Sequence, residues 1–203
     1  AMASNKRQAG ERRARQPRSR GQPATPSDTP IVERLGPPIS SVGWSPDLVA
    51  QTLEMLAVEL RAGELRWFKP VHADSLRVGL PRGTQPGDCV LDVLGWYPMR
   101  PRVVHSTSWR YEAGGVILTY ITVVEVHAPM PPDSLVTLPI ARAELVRGGA
   151  MAPPPAIGVE AVLEHALRHL SWLVRDDQAI ATALHGWSGT LREYQPEPFR
   201  ELG

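Results

Sequence analysis

The 203-residue chain holds one cysteine, Cys89. A single thiol excludes an internal disulfide framework and fits a reducing compartment. It also argues against a structural zinc site, which draws on several thiolates. Cys89 sits in the apolar stretch from Gly87 to Leu94, where a buried, inert thiol is the expectation. No apolar run approaches the ~18 residues that mark a membrane-spanning helix. Arg12-Arg13 is followed by no apolar stretch, so neither a signal peptide nor a twin-arginine export signal is expected. These readings together point to a cytoplasmic protein.

Several catalytic signatures are missing as well. The chain has no Gly-x-x-x-x-Gly-Lys-Ser/Thr phosphate loop and no Gly-x-Gly-x-x-Gly turn. It has no Gly-x-Ser-x-Gly elbow to activate a serine. His165 and His169 stand four apart on a helical pattern, but Glu164 precedes the pair instead of lying between its members. A metalloprotease helix needs the glutamate between the ligands, so two solvent-facing histidines are expected. No catalytic residue, metal ligand or cofactor is assigned on this basis.

What the chain does hold is an uneven charge. Residues 1 to 35 carry eight Lys or Arg against three Asp or Glu, so the tail stands at +5 and, with +1 overall, the remainder at −4. Residues 1–38 have almost no large apolar side chain before Ile31 and read as a disordered basic arm. Such an arm can contact nucleic acid or an acidic partner electrostatically through residues 1–35.

Residues 39–203 read as one α+β domain: an antiparallel or mixed sheet with a long central hairpin, flanked by helices, and a C-terminal helical segment. Within it, 39–146 hold a helix and the sheet, 147–157 form a Pro/Gly linker, and 158–203 hold the C-terminal helices. Ser45-Pro46-Asp47 has the pattern of a helix start, with Trp44 as a staple ahead of it. Val49, Leu53, Leu56, Ala57 and Leu60 then recur at helical spacing, and Gly63 marks a stop. Short strands are expected around 65–68, 75–80, 89–97 and 135–139, with a helical turn over 141–146. From Val159 to Val174 the apolar residues repeat on one face over four turns. Asp176-Asp177 opens a shorter helix through Leu184, residues 187–194 suggest another, and Phe199 suggests an anchor.

The hairpin is the strongest element. Val116 to Val126 is almost wholly β-branched or aromatic, which marks an interior strand, and the glycines of Glu112-Ala-Gly-Gly115 suit a tight turn. The preceding strand carries His105-Ser-Thr-Ser-Trp-Arg110, with Arg102 nearby. An aromatic face, a guanidinium fork and hydroxyls are parts that hold a planar or anionic ligand. Alternation predicts that His105, Thr107 and Trp109 share one face and Ser106, Ser108 and Arg110 the other. The candidate ligand-binding residues are therefore His105, Thr107, Trp109, Arg110 and Arg102.

The order of helix, strands, long hairpin, then Leu138-Pro-Ile-Ala-Arg-Ala-Glu-Leu145 and C-terminal helices resembles a Nudix-type domain from about Ser45 to Leu173. The family's Gly-x5-Glu-x7-Arg-Glu-x-x-Glu-Glu-x-Gly box is absent, so the resemblance carries over no catalytic residue. It implies a relative that binds a nucleotide-like small molecule without hydrolysing a diphosphate. The alternative is an interaction or scaffold protein that uses its basic arm. A third reading is an enzyme using His105 and Arg110.

Overall fold

A computed structural model describes residues 30–32, 50–145 and 157–195. The expectations for the arm before residue 30, the Ser45-Pro46 helix start, the Trp44 staple, residues 147–156 and Phe199 lie outside that range. Among the described residues, seven strands form one mixed sheet: β1 (Ile31–Val32), β2 (Gln51–Arg61), β3 (Glu64–Pro70), β4 (Leu76–Gly79), β5 (Met99–Glu112), β6 (Gly115–Val126) and β7 (Leu135–Pro139). Four helices accompany it within the same residues: α1 (Pro86–Leu94), α2 (Val159–Asp176), α3 (Gln178–Ala183) and α4 (Ser188–Leu191). The strand order is β1-β5-β6-β2-β3-β7, with β4 also paired to β2. β2 runs parallel to β6, and β1 parallel to β5; the other pairs are antiparallel.

The largest departure from the sequence reading is β2. Gln51 to Arg61 was expected to be helical, yet it is the strand joining the two halves of the sheet. Leu53 to Val58 is buried without a break, because β2 is covered on both faces. A continuous apolar run contains residues at helical spacing as a subset, and only the neighbours decide between the two. Gly63 stops no helix. With Ala62 at φ 52° and Gly63 at φ 82°, it completes the two-residue turn between β2 and β3.

The converse occurs at residues 89–97, expected as a strand: Pro86–Leu94 is instead the helix α1. Pro86 opens the helix, Asp88 lies in its positive first turn, and Cys89, Val90, Val93 and Leu94 bury one face against the sheet. The Cys89 thiol is buried, and burial pushes its pKa upward, aided by the nearby charge of Asp92. Ile31 and Val32, placed in the arm by composition, pair instead with Val103 and Val104 of β5. Residues 141–145 form no helical turn and run irregularly toward α2.

The main hairpin stands where the sequence puts it. Ala113 at φ 50° and Gly114 at φ 83° make the turn. Gly115 follows because a Cβ there would meet the Ala50 carbonyl oxygen at 2.9 Å. The sheet has two covered faces. On one, Leu163, Leu167 and Leu170 of α2, with Ile180, Leu184 and Leu191, pack on Leu56, Val58, Val103, Ile121 and Val123. Each such fully buried leucine contributes roughly 1.5–3 kcal/mol. On the other, α1 packs over Leu53, Met55, Val104, Tyr120 and Val124.

Candidate functional site

β5 carries all five residues singled out from the sequence, but it does not alternate strictly. Its register against β6 slips between Pro101 and Val103 and again between Ser106 and Ser108. Arg102 and Thr107 are the extra residues of these two bulges, each of which offsets the alternation by one. Directly paired residues point to the same face. His105 pairs with Ile121, Ser108 with Thr119, and Arg110 with Ile117, so these three lie on the α2 face. Ser106 pairs with Tyr120 and Trp109 with Leu118, which lie on the α1 face. The expected grouping of His105, Thr107 and Trp109 is thus corrected: the bulge at Thr107 sends Trp109 to the opposite side from His105.

Thr107 is buried, and its hydroxyl donates to the Thr119 carbonyl at 3.3 Å. Arg102, with its side chain 10 % exposed, lies 3.6 Å from Glu125 at the far end of β5. Seven residues separate it from Trp109, roughly 20 Å along a strand.

Arg110 belongs to a polar network on the α2 face. Its Nη1 and Nη2 donate to the two oxygens of Glu54, at 2.7 and 2.9 Å, while Nη1 also reaches Thr119 and Nε reaches Glu112. Arg77 approaches the same Glu54 oxygen at 2.8 Å and bonds Glu112 at 2.8 Å; Ser75 donates to Glu54 at 2.8 Å. The Glu54 side chain is fully buried. Burial by itself would raise its pKa, but the hydrogen bonds from Arg110 and Ser75 and the charges of Arg110 and Arg77 outweigh that, and the carboxyl is pulled down to about 2. The guanidinium fork expected to hold a ligand is therefore already filled by two carboxylates of the same chain.

His105 meets α2. Its ring centre lies 6.3 Å from that of His169, which is 4.8 Å from that of His165. All three are half-buried, so the expectation of two solvent-facing histidines on α2 is also corrected. Among the described residues, no group of three His, Cys, Asp or Glu is disposed to hold a metal ion.

The α1 face presents something different. Trp109 is 71 % exposed and Tyr111, two residues on, is 69 % exposed. Tyr111 pairs with Val116 and Trp109 with Leu118, so both rings project from the same face. Large aromatic side chains are usually mostly covered, and exposed ones close together mark binding surfaces.

The sequence reading missed Glu54, Ser75, Arg77 and Thr119 as a network, and Tyr111 as a partner of Trp109. A lone glutamate inside a buried strand requires paired cations, but that signal is legible only once 51–61 is read as a strand. A shallow depression of about 570 Å³ lies elsewhere, lined by Glu59, Arg61, Glu125 and Pro129 among others, and includes none of the hairpin aromatics.

No family model matches this chain, and no curated protein matches it significantly. Among the described residues no helix is long and apolar enough to cross a membrane.

Proposed function

We propose that this protein is an interaction domain that docks an acidic macromolecule on the aromatic pair of β5, with the basic N-terminal arm as electrostatic support. The observation that carries this reading is the exposure of Trp109 and Tyr111 side by side on one sheet face. Rigid amphipathic rings of this kind anchor interfaces at low entropic cost. The five hairpin residues do not converge on one ligand, which weighs against a small-molecule cleft built from them. The resemblance to a Nudix-type domain, whose expected leading helix is the strand β2 here, adds no residue to the proposal.

A nucleotide-like small molecule is the second reading, and one feature favours it. The depression beside Glu59 and Glu125 lies at the carboxyl ends of the parallel strands β2 and β6, the position where ligands collect in α/β sheets. Thermal unfolding of the full chain separates the two readings. A ligand at 100 times its Kd adds about 2.7 kcal/mol, or roughly 5 to 10 °C for a chain of this size. The expected result is a shift with acidic polymers that shrinks in Trp109→Ala, and none with mononucleotides with or without Mg²⁺. A mononucleotide shift that survives Trp109→Ala overturns the interaction reading.

A further inference from the structure

We infer that the depression at the carboxyl ends of β2 and β6 is a binding site for a free α-amino acid with an apolar side chain. This goes beyond the interaction reading and concerns a separate part of the molecule. β2 and β6 are paired from Gln51 opposite Val116 to Val58 opposite Val123, and there the shared register ends. Both strands continue: β2 stays paired to β3 through Arg61, and β6 to β5 through Val126. Past Val58 and Val123 the two inner edges therefore part, and the depression of about 570 Å³ is lined by Glu59, Leu60 and Arg61 from one and by Val124, Glu125 and Val126 from the other. Successive residues of a strand aim their backbone groups at opposite neighbours. Val116 donates to the Ala50 carbonyl at 2.9 Å, so the even-numbered residues of β2 and β6 are the ones turned toward each other. The next rung would run from the Leu60 N–H to the Val124 carbonyl, and it is missing from the register. One donor and one acceptor thus open toward the depression.

The side chains repeat that pairing of opposite groups. Glu59 and Arg61 share one side of β2, with Cα atoms roughly 7 Å apart. Among the described residues neither has an ion-pair partner. Glu125, also in the lining, is already held by Arg100 at 2.8 Å and lies 3.6 Å from Arg102. One negative and one positive side chain are left uncommitted. Continued by one residue, the register sets Glu59 across from Val124, so its carboxylate and the Val124 carbonyl suit an ammonium. Arg61 and the neighbouring Leu60 N–H suit a carboxylate. An α-amino acid carries both of these charges on one carbon. Val126, Ala128 and Pro129 add an apolar wall for its side chain. The volume lies in the ordinary range for small-ligand sites. A nucleotide matches the charges less well, because its phosphates would face two carboxylates with only Arg61 uncommitted.

The experiment follows the backbone amide NMR signals of the full chain during titration with L-leucine. Glycine, N-acetyl-L-leucine, L-leucinamide and a mononucleotide with Mg²⁺ are titrated in parallel. Leucine is expected to shift the amides of Leu60, Arg61 and Val126 in a saturable way. Blocking its ammonium or its carboxylate should each weaken binding about tenfold or more, since each block removes a charge-assisted contact. Glycine, which lacks the apolar side chain, should also bind about tenfold or more weakly. Glu59→Gln and Arg61→Gln should each weaken leucine about tenfold and leave the unfolding midpoint unchanged, and Trp109→Ala should leave leucine binding as it is. If Glu59→Gln fails to fold, the blocked ligands put the same question to the unaltered protein. Absence of shifts at these amides with tens of millimolar leucine overturns the site. Equal binding of leucine and both blocked forms overturns the amino-acid assignment, as does mononucleotide binding at the same amides that is tighter than leucine.

Discussion

Arg110 holds both carboxylate oxygens of Glu54, from a strand two places away in the sheet, at 2.7 and 2.9 Å. Glu54 sits on β2 and Arg110 on β5, so the pair crosses over β6, whose Thr119 hydroxyl contacts both. Four of the five guanidinium N–H groups of Arg110 have a partner in this arrangement. The pair therefore acts as a clamp across the sheet.

Removing one member should be far more harmful than its sequence position suggests. Arg110→Met leaves the Glu54 carboxylate buried beside Arg77 alone, and a broken buried pair loses about 3 to 5 kcal/mol. Urea unfolding should show that loss. Replacing the exposed Trp109 by Ala should change stability by less than about 0.5 kcal/mol. Equal destabilisation by the two would show that the side assigned to Trp109 is wrong.

Acid should weaken the fold in a defined window. The Glu54 carboxyl is depressed from 4.5 to about 2, so its contribution is complete above pH 4.5 and declines as the pH falls toward 2. A depression of this size corresponds to about 3 kcal/mol. Glu112 and Glu164 are shifted in the same direction and add to the same limb: Glu112 chiefly through the hydrogen bond from Arg77, Glu164 through bonds from Arg142 and Arg168 that outweigh its burial. Denaturant midpoints for wild type should fall steeply below pH 4.5. In Glu54→Gln the starting stability should be lower and the fall shallower; an unchanged slope would remove Glu54 from the account.

A second clamp fastens the approach to α2. Glu164 is fully buried and accepts from Arg142 at 3.0 and 2.8 Å, from Arg168 at 2.9 Å and from the Ala143 backbone N–H at 3.3 Å. Arg142 also covers the Tyr194 ring at 4.5 Å. Glu164→Gln should speed hydrogen exchange at residues 140–145 and leave β5 and β6 protected. Uniform loss of protection would mean instead that the whole domain opens.

The hairpin turn offers a stabilising change. Ala113 holds φ 50°, a conformation that costs a residue with a Cβ about 1–2 kcal/mol. Ala113→Gly or Ala113→Asn should raise the melting temperature by a few degrees. Gly115→Ala should lower it, because the added methyl would press on the Ala50 carbonyl oxygen at 2.9 Å. A stable Gly115→Ala variant would show that this approach relaxes freely.

Much of the fold was legible locally. The β6 run, the glycine turn before it, the amphipathic α2 and the Asp177 cap of α3, which accepts from Ala179 and Ile180, all declare themselves within a few residues. The errors came where two periods fit one stretch. Gln51 to Arg61 satisfies a helical stripe and a doubly buried strand alike, and Pro86 to Leu94 is short enough to pass for either.

The candidate surface shows the same division more sharply. The residue types on β5 were visible in the sequence, because an aromatic, two arginines and several hydroxyls stand together between Arg102 and Tyr111. Which of them face together was not. One extra residue, Thr107, offsets every side chain beyond it, and a bulge is set by pairing with β6, not by the bulged residues themselves. Local composition thus determined the hairpin, the α2 face and the charge of the arm. Tertiary pairing decided that Arg110 turns inward to a buried glutamate while Trp109 and Tyr111 turn outward to solvent, because strand register, unlike propensity, is a property of two segments at once.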